Sequence, residues 1–194
     1  MGICVVRLTT NFKIKYDTSL AYNIYTLLCA VFIRNMKNLK QGSHRNDVVM
    51  TPKPLAKIIV EYFNPTGRIL EPCKGEGNFL EYLPNAEWCE ISEGKDFFNF
   101  SEKMDWIVTN PPWSIFRPFL IHSLTVADNV VFLIPIVHYF GKARLREIKK
   151  AGYGFKEMIF IDTPKSFPQM GFQLGVVHLQ KGYDGDCQMT WWSS

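Results

Sequence analysis

Asn129–Ile136 (NVVFLIPI) is apolar at every position after the first. The run is too short to span a membrane and too continuous for a strand with one wet face, so it reads as the central strand of a sheet covered on both sides. Such a strand belongs to an α/β fold, and the chain around it alternates strand and helix signals from Met50 onward. Arg68–Pro72, Ala86–Ile91, Asp105–Thr109, Phe155–Asp162 and Gln173–Gln180 are the further strands, with a short third strand expected in the loop Asp96–Phe100. Thr51 as N-cap and Pro52 at the first helical position start a helix whose Leu55, Ile58, Ile59 and Tyr62 fall on one face. Ser114–Ala127 and Lys142–Lys150 supply two more helices. The expectation is a Rossmann-like, doubly wound, seven-stranded and mostly parallel sheet, which takes its ligands at the strands' carboxyl ends.

With 47% hydrophobic and 21% charged residues in 194, the chain can bury one such core but not two large ones. The expected division is a catalytic domain over 47–182, an amino-terminal arm over 1–46 that is helical or weakly ordered, and a carboxyl-terminal tail over 183–194. The arm's Leu20–Ile33 stretch is uninterrupted only from Leu27 to Ile33, short of the roughly 20 apolar residues of a spanning helix, and no membrane association is expected. Residues 1–50 hold seven Lys/Arg against Asp17 and Asp47, a net +5, which leaves 15 basic and 16 acidic residues in the remaining 144. The main domain is not a basic body, so a grip on polyanions must come from local clusters or the arm. Five cysteines, none in a C-x-x-C pair, argue against a zinc site and a disulfide framework and fit reduced thiols in the cytoplasm.

Two motifs carry chemistry. In Glu71-Pro72-Cys73-Lys74-Gly75-Glu76-Gly77 a strand ends in an acid and runs into G-x-G at a tight turn leading to the next helix, which puts backbone N–H groups and a carboxylate around one ligand. The third glycine of a phosphate-binding fingerprint is replaced by Leu80, and an acid before the loop repels a pyrophosphate, so a cationic ligand suits the site better. A glycine turn that serves only strand–helix packing explains this motif alone equally well. The second motif, Asn110-Pro111-Pro112-Trp113, follows a strand. Its prolines fix φ and remove two donors, leaving the carbonyls of Asn110 and Pro111 and the Asn110 amide oxygen to accept from a ligand, while Trp113 offers a flat face for a base.

With these two motifs in this order, residues 47–180 resemble the class I S-adenosylmethionine-dependent amino-methyltransferases, in particular the N6-adenine DNA methyltransferases with their (D/N)PP(Y/F/W) signature. The family order of a T-P segment, an acid-P-x-x-G-x-G-x-F loop, an acid after strand two, a D-F pair and NPP with its aromatic reads here as Thr51-Pro52, Glu71 to Phe79, Glu90, Asp96-Phe97 and Asn110 to Trp113. The resemblance implies S-adenosyl-L-methionine as cofactor, held by Thr51, Pro52, Glu71, Pro72, Gly75 and Gly77 at its methionine end. Glu90 would accept from the ribose, Asp96 from the adenine N6, and Phe97 would cover the ring.

It also implies adenine-N6 methylation of DNA through Asn110, Pro111, Pro112 and Trp113, with Trp113, Phe167, Lys142 and Arg144 meeting the nucleic acid. A core phenylalanine and a solvated helix face are the plainer readings of Phe167 and of the two cations. The same chemistry on RNA adenine or a protein glutamine amide, or an inactive nucleic-acid-binding subunit, are the alternatives. Only about 30 residues separate Gly77 from Asn110. No target-recognition domain is therefore expected, and sequence choice would fall to a short context, a homo-oligomer or a separate specificity partner.

Overall fold

The strands of the computed structural model form one mixed sheet. The structure describes residues 4–6, 49–169 and 171–192, so the Leu20–Ile33 stretch and most of the expected arm lie outside the described residues. The strands are β1 (Cys4–Val6), β2 (Ile69–Glu71), β3 (Glu87–Trp88), β4 (Met104–Thr109), β5 (Ala127–Pro135), β6 (Tyr153–Ile161), β7 (Leu174–Lys181) and β8 (Gln188–Trp192). Their order is β1-β8-β6-β7-β5-β4-β2-β3. β3, β2, β4 and β5 run parallel, β7 runs against both β5 and β6, and β8 runs parallel to β6.

The apolar run at β5 is buried on both faces, as its continuity requires. Val130, Phe132 and Ile134 join one core, with Phe116, Phe119, Leu120 and Leu124 of helix α2 (Phe116–Val126) and Ile148 of helix α3 (Lys142–Lys150). Val131 and Leu133 join the other, with Ala56, Ile59 and Val60 of helix α1 (Lys53–Phe63). Successive side chains of a strand face opposite sides, so one run supplies both layers. Among the described residues no helix is long and apolar enough to cross a membrane.

Several local expectations are corrected. α1 begins at Lys53, one residue later than expected, with the Pro52 carbonyl accepting from the Leu55 and Ala56 N–H groups at 2.9 and 3.0 Å, and Thr51 makes no side-chain cap. Its buried face is Ala56, Ile59 and Val60, turned from the expected one, so that Ile58 is 42% exposed. No helix follows Gly77. Turns closed by Glu81 N–H to Gly77 O at 3.1 Å and Tyr82 N–H to Phe79 O at 3.0 Å bury Phe79 and Leu83, and Pro84 prevents extension. The third strand is likewise absent, because the Asp96 carboxylate accepts from the Phe98 N–H at 2.9 Å and caps a 3-10 turn over Phe97–Asn99.

Two strands lie outside residues 47–182. Residues 188–192 are β8, paired in register with β6, and Thr190 is fully buried; Cys4–Val6 in turn lies antiparallel on β8. Cys4–Val6 is too short to mark a strand by pattern, and in Gln188–Trp191 polar and apolar residues alternate but the polar Thr190 is the one buried side chain of β8, with Trp191 exposed.

Candidate active site

From β2 the chain passes to β3 on one side, whereas β4 and β5 lie on the other. The connections thus diverge at the carboxyl ends of β2 and β4, which opens the crevice where doubly wound folds bind ligands. Glu71 ends β2 and is fully buried. Its Oε1 accepts from the Cys73 N–H at 3.0 Å and from the Thr109 hydroxyl at 2.5 Å, while Oε2 has no partner. Burial pushes this carboxyl up to about 8, against the pull of those two hydrogen bonds and with the help of the nearby Glu90 charge. Glu71 is therefore mainly a neutral acid at pH 7. The Thr51 hydroxyl, on a residue 5% exposed, is likewise buried without a partner.

Gly75 and Gly77 have φ of +51° and +81°, the left-handed region that glycine enters without strain. A Cβ on Gly75 would lie 2.9 Å from Met50 Sδ, whereas one on Gly77 would meet nothing within 4 Å, leaving its backbone open to a ligand. The Gly75 N–H donates to Glu90 Oε2 at 2.9 Å, and Ser92 donates to Glu90 Oε1 from its N–H and hydroxyl at 3.0 and 2.7 Å. Burial raises the Glu90 carboxyl, but the Ser92 and Gly75 donors and the Lys74 charge outweigh it and hold the group below the usual range. Glu90 thus stays ionised beside the glycine loop.

A cavity of about 30 Å³ lies among Val49, Met50, Thr51, Cys73, Lys74 and Asn110. It brings the T-P segment, the glycine loop and the NPP loop to one place, although they are far apart in sequence. A larger, open depression of about 480 Å³ lies beside β3, lined in part by Trp88, Lys95, Asp96 and Phe100. Asp96 reaches it, but Phe97 does not. That ring is 4% exposed and packs 4.6 Å from the rings of Phe119 and His122, because the 3-10 turn points it into the core. The most exposed apolar side chain in this region is Ile91, 76% exposed and next to Glu90, which the sequence reading passed over. Trp88 was passed over too. Its indole lies under Lys74 and Lys95, whose ammonium groups are 4.3 and 3.4 Å from the ring centre.

In the NPP loop, Pro111 is buried and Pro112 caps the 3-10 turn Trp113–Ile115. Asn110 Nδ2 donates to the Val49 carbonyl at 2.8 Å, and Trp113 Nε1 donates to Asn110 Oδ1 at 3.1 Å. Trp113 is half-buried, with the ring of Phe167 edge-on at 6.1 Å. Phe167 itself is only 2% exposed, so it braces the tryptophan and presents no face to a base. Lys142 and Arg144 stand in the first turn of α3, which follows β5 through the 3-10 turn Ile136–Tyr139. Lys142 is exposed, whereas the Arg144 guanidinium lies against Gly141 with its Nε buried and unpartnered.

No protein-family model and no curated protein matches the chain. Solved structures do. A Listeria monocytogenes protein assigned to the class I S-adenosylmethionine-dependent methyltransferases superposes with a TM-score of 0.54 at 13% identity, over 81% of this chain and 68% of that one. The magnesium protoporphyrin IX methyltransferase of Synechocystis, solved with S-adenosylmethionine bound, gives 0.53 at 10% identity over 66% and 79%. The M protein of the type I restriction enzyme EcoKI gives 0.53 at 14% identity over 73% of this chain and 45% of its own, so this chain spans about half of that protein. The eight-stranded sheet, with β7 reversed between β5 and β6 and the crevice between β2 and β4, is the class I methyltransferase fold.

Proposed function

We propose that this chain is an S-adenosylmethionine-dependent methyltransferase that modifies the N6 amino group of adenine in DNA. The observation that carries this reading is the meeting of Thr51, the Cys73–Lys74 loop and Asn110 around one cavity at the switch point of the sheet. The residues present fit the cofactor. The unpartnered Oε2 of Glu71 and hydroxyl of Thr51 suit its α-ammonium group, the open backbone at Gly77 admits its methionine end, and Glu90 and Asp96 supply carboxylates toward its nucleoside. The cavity has about the volume of one water, so Met50 would withdraw from Gly75 on binding. When bound, the cofactor supplies an activated methyl on a sulfonium leaving group.

The chain's own contribution is positioning. An adenine amino group is a weak nucleophile because its lone pair is delocalised into the ring. Asn110 Oδ1 and the Pro111 carbonyl each accept one of its hydrogens, which draws the nitrogen toward tetrahedral geometry and aims the lone pair. A stacked base is out of reach, so the target is flipped or already unpaired. Lys142, exposed at the start of α3, would meet a phosphate of the nucleic acid in this reading. The test is incubation with methyl-labelled cofactor and separate DNA, RNA and protein pools, followed by nucleoside analysis. Label in N6-methyladenine from DNA is expected; label in RNA or protein alone, or in none, overturns the reading.

A further inference from the structure

The Asn110 amide is held from both ends. Nδ2 is tied to the Val49 carbonyl at 2.8 Å, and Oδ1 receives the Trp113 indole N–H at 3.1 Å. These two bonds fix the plane of the amide and decide which end carries the oxygen. Reversal would set Oδ1 against a carbonyl and Nδ2 against an N–H donor. A carbonyl oxygen has two lone pairs, so the bond from Trp113 leaves one for an incoming amino group. The tryptophan is in turn fixed by packing against both cores and by the edge-on ring of Phe167 at 6.1 Å.

We propose that Trp113 is a positioning residue that acts through Asn110: its Nε1–H orients the Asn110 oxygen toward the methyl acceptor. This rests on the function proposed above and departs from the expectation that Trp113 serves as a stacking face. A stacking role needs an aromatic ring; an orienting role needs the indole N–H, which among aromatic side chains tryptophan alone offers at that place.

The test is Trp113→Phe, which keeps a ring in the packing and removes the donor. The expected result is a kcat lower by on the order of 10-fold, as misorientation of one reacting group produces, with KM for DNA within about 2-fold of the unaltered protein. Trp113→Ala is expected to raise KM as well. Wild-type kcat in Trp113→Phe, or a loss confined to KM, overturns the proposal while leaving the methyltransferase reading intact. A readout without turnover keeps the two failures apart. In protein carrying 15N-labelled tryptophan, the Trp113 indole proton is expected to exchange slowly with solvent and to lose that protection in Asn110→Ala. Unchanged exchange overturns the proposal whether or not any methyl transfer is found.

Discussion

The Thr109 hydroxyl donates to Glu71 Oε1 inside the sheet, joining the carboxyl ends of β4 and β2 where the connections diverge. This bond and the Cys73 N–H both fall on the same oxygen, so the other oxygen is left buried without a partner. A buried acid with one satisfied and one unsatisfied oxygen prefers to keep its proton until a cation arrives.

Stability should therefore depend on pH in a defined sense. The Glu71 carboxyl is raised in the fold to about 8 from 4.5, so its contribution is fully present below pH 4.5 and is lost as pH rises through about 8. Within that window the loss is about 1.4 kcal/mol per pH unit. His178 acts oppositely. Burial, with the Lys156 charge, holds it down at about 4 against 6.5, so its contribution grows as pH rises from 4 to 6.5. The window from 6.5 to 8 isolates Glu71. Urea titrations there should show falling stability for the natural protein and a flatter profile for Glu71→Gln; equal slopes would contradict the neutral-acid assignment.

Cofactor binding should carry the complementary dependence. An α-ammonium group keeps its proton below about pH 7.7, and its charge favours the ionised form of Glu71. Between pH 6 and 7.5 affinity should rise by up to about tenfold per unit, with one proton released, and calorimetry in buffers of different ionisation enthalpy measures that proton directly. Glu71→Gln should bind weakly with no pH slope. A flat profile in the natural protein would remove Glu71 from the ammonium site.

Gly77→Leu separates backbone strain from occlusion. At φ +81° a side chain costs about 1–2 kcal/mol, which lowers the melting temperature by a few degrees. The added group points into open space, so nothing in the fold opposes it. Binding of the cofactor should nevertheless fall by at least about 100-fold in calorimetry, because that space is the ligand's. Retained affinity would place the ligand elsewhere.

The main strands were legible because burial on both faces writes itself as an apolar run at β5 and as shorter runs at β4, β6 and β7. The two motifs were legible because prolines and glycines restrict φ locally, whatever surrounds them. Phe97 was not, since a D-F pair says nothing of which way a 3-10 turn will rotate its aromatic. Phe167 was not, for a similar reason: it is buried in a core assembled from residues far off in sequence, with Trp113, 54 positions away, edge-on to it. Thr190 and β8 were hidden because this short strand, held by backbone pairing to β6, buries the polar member of its Gln188–Trp191 alternation and exposes Trp191.

Asn110→Ala separates chemistry from binding. The amide lines the small cavity through its contact with the Val49 carbonyl, yet the groups that suit the cofactor belong to Thr51, Glu71 and the glycine loop. Cofactor affinity should therefore change by less than about threefold. The methyl-transfer rate should fall by on the order of 10²-fold or more, as loss of one preorganised hydrogen bond to the reacting group does. Releasing the Val49 carbonyl leaves one backbone acceptor unpaired at a half-buried position, a loss of about 1 kcal/mol in stability that does not unfold the domain. Single-turnover rates with saturating cofactor read the chemical step apart from product release. They should show the same loss on duplex and single-stranded DNA, because the amide acts after the base has left the stack. A loss confined to duplex would assign Asn110 to base flipping, and full activity would make the NPP loop a structural turn.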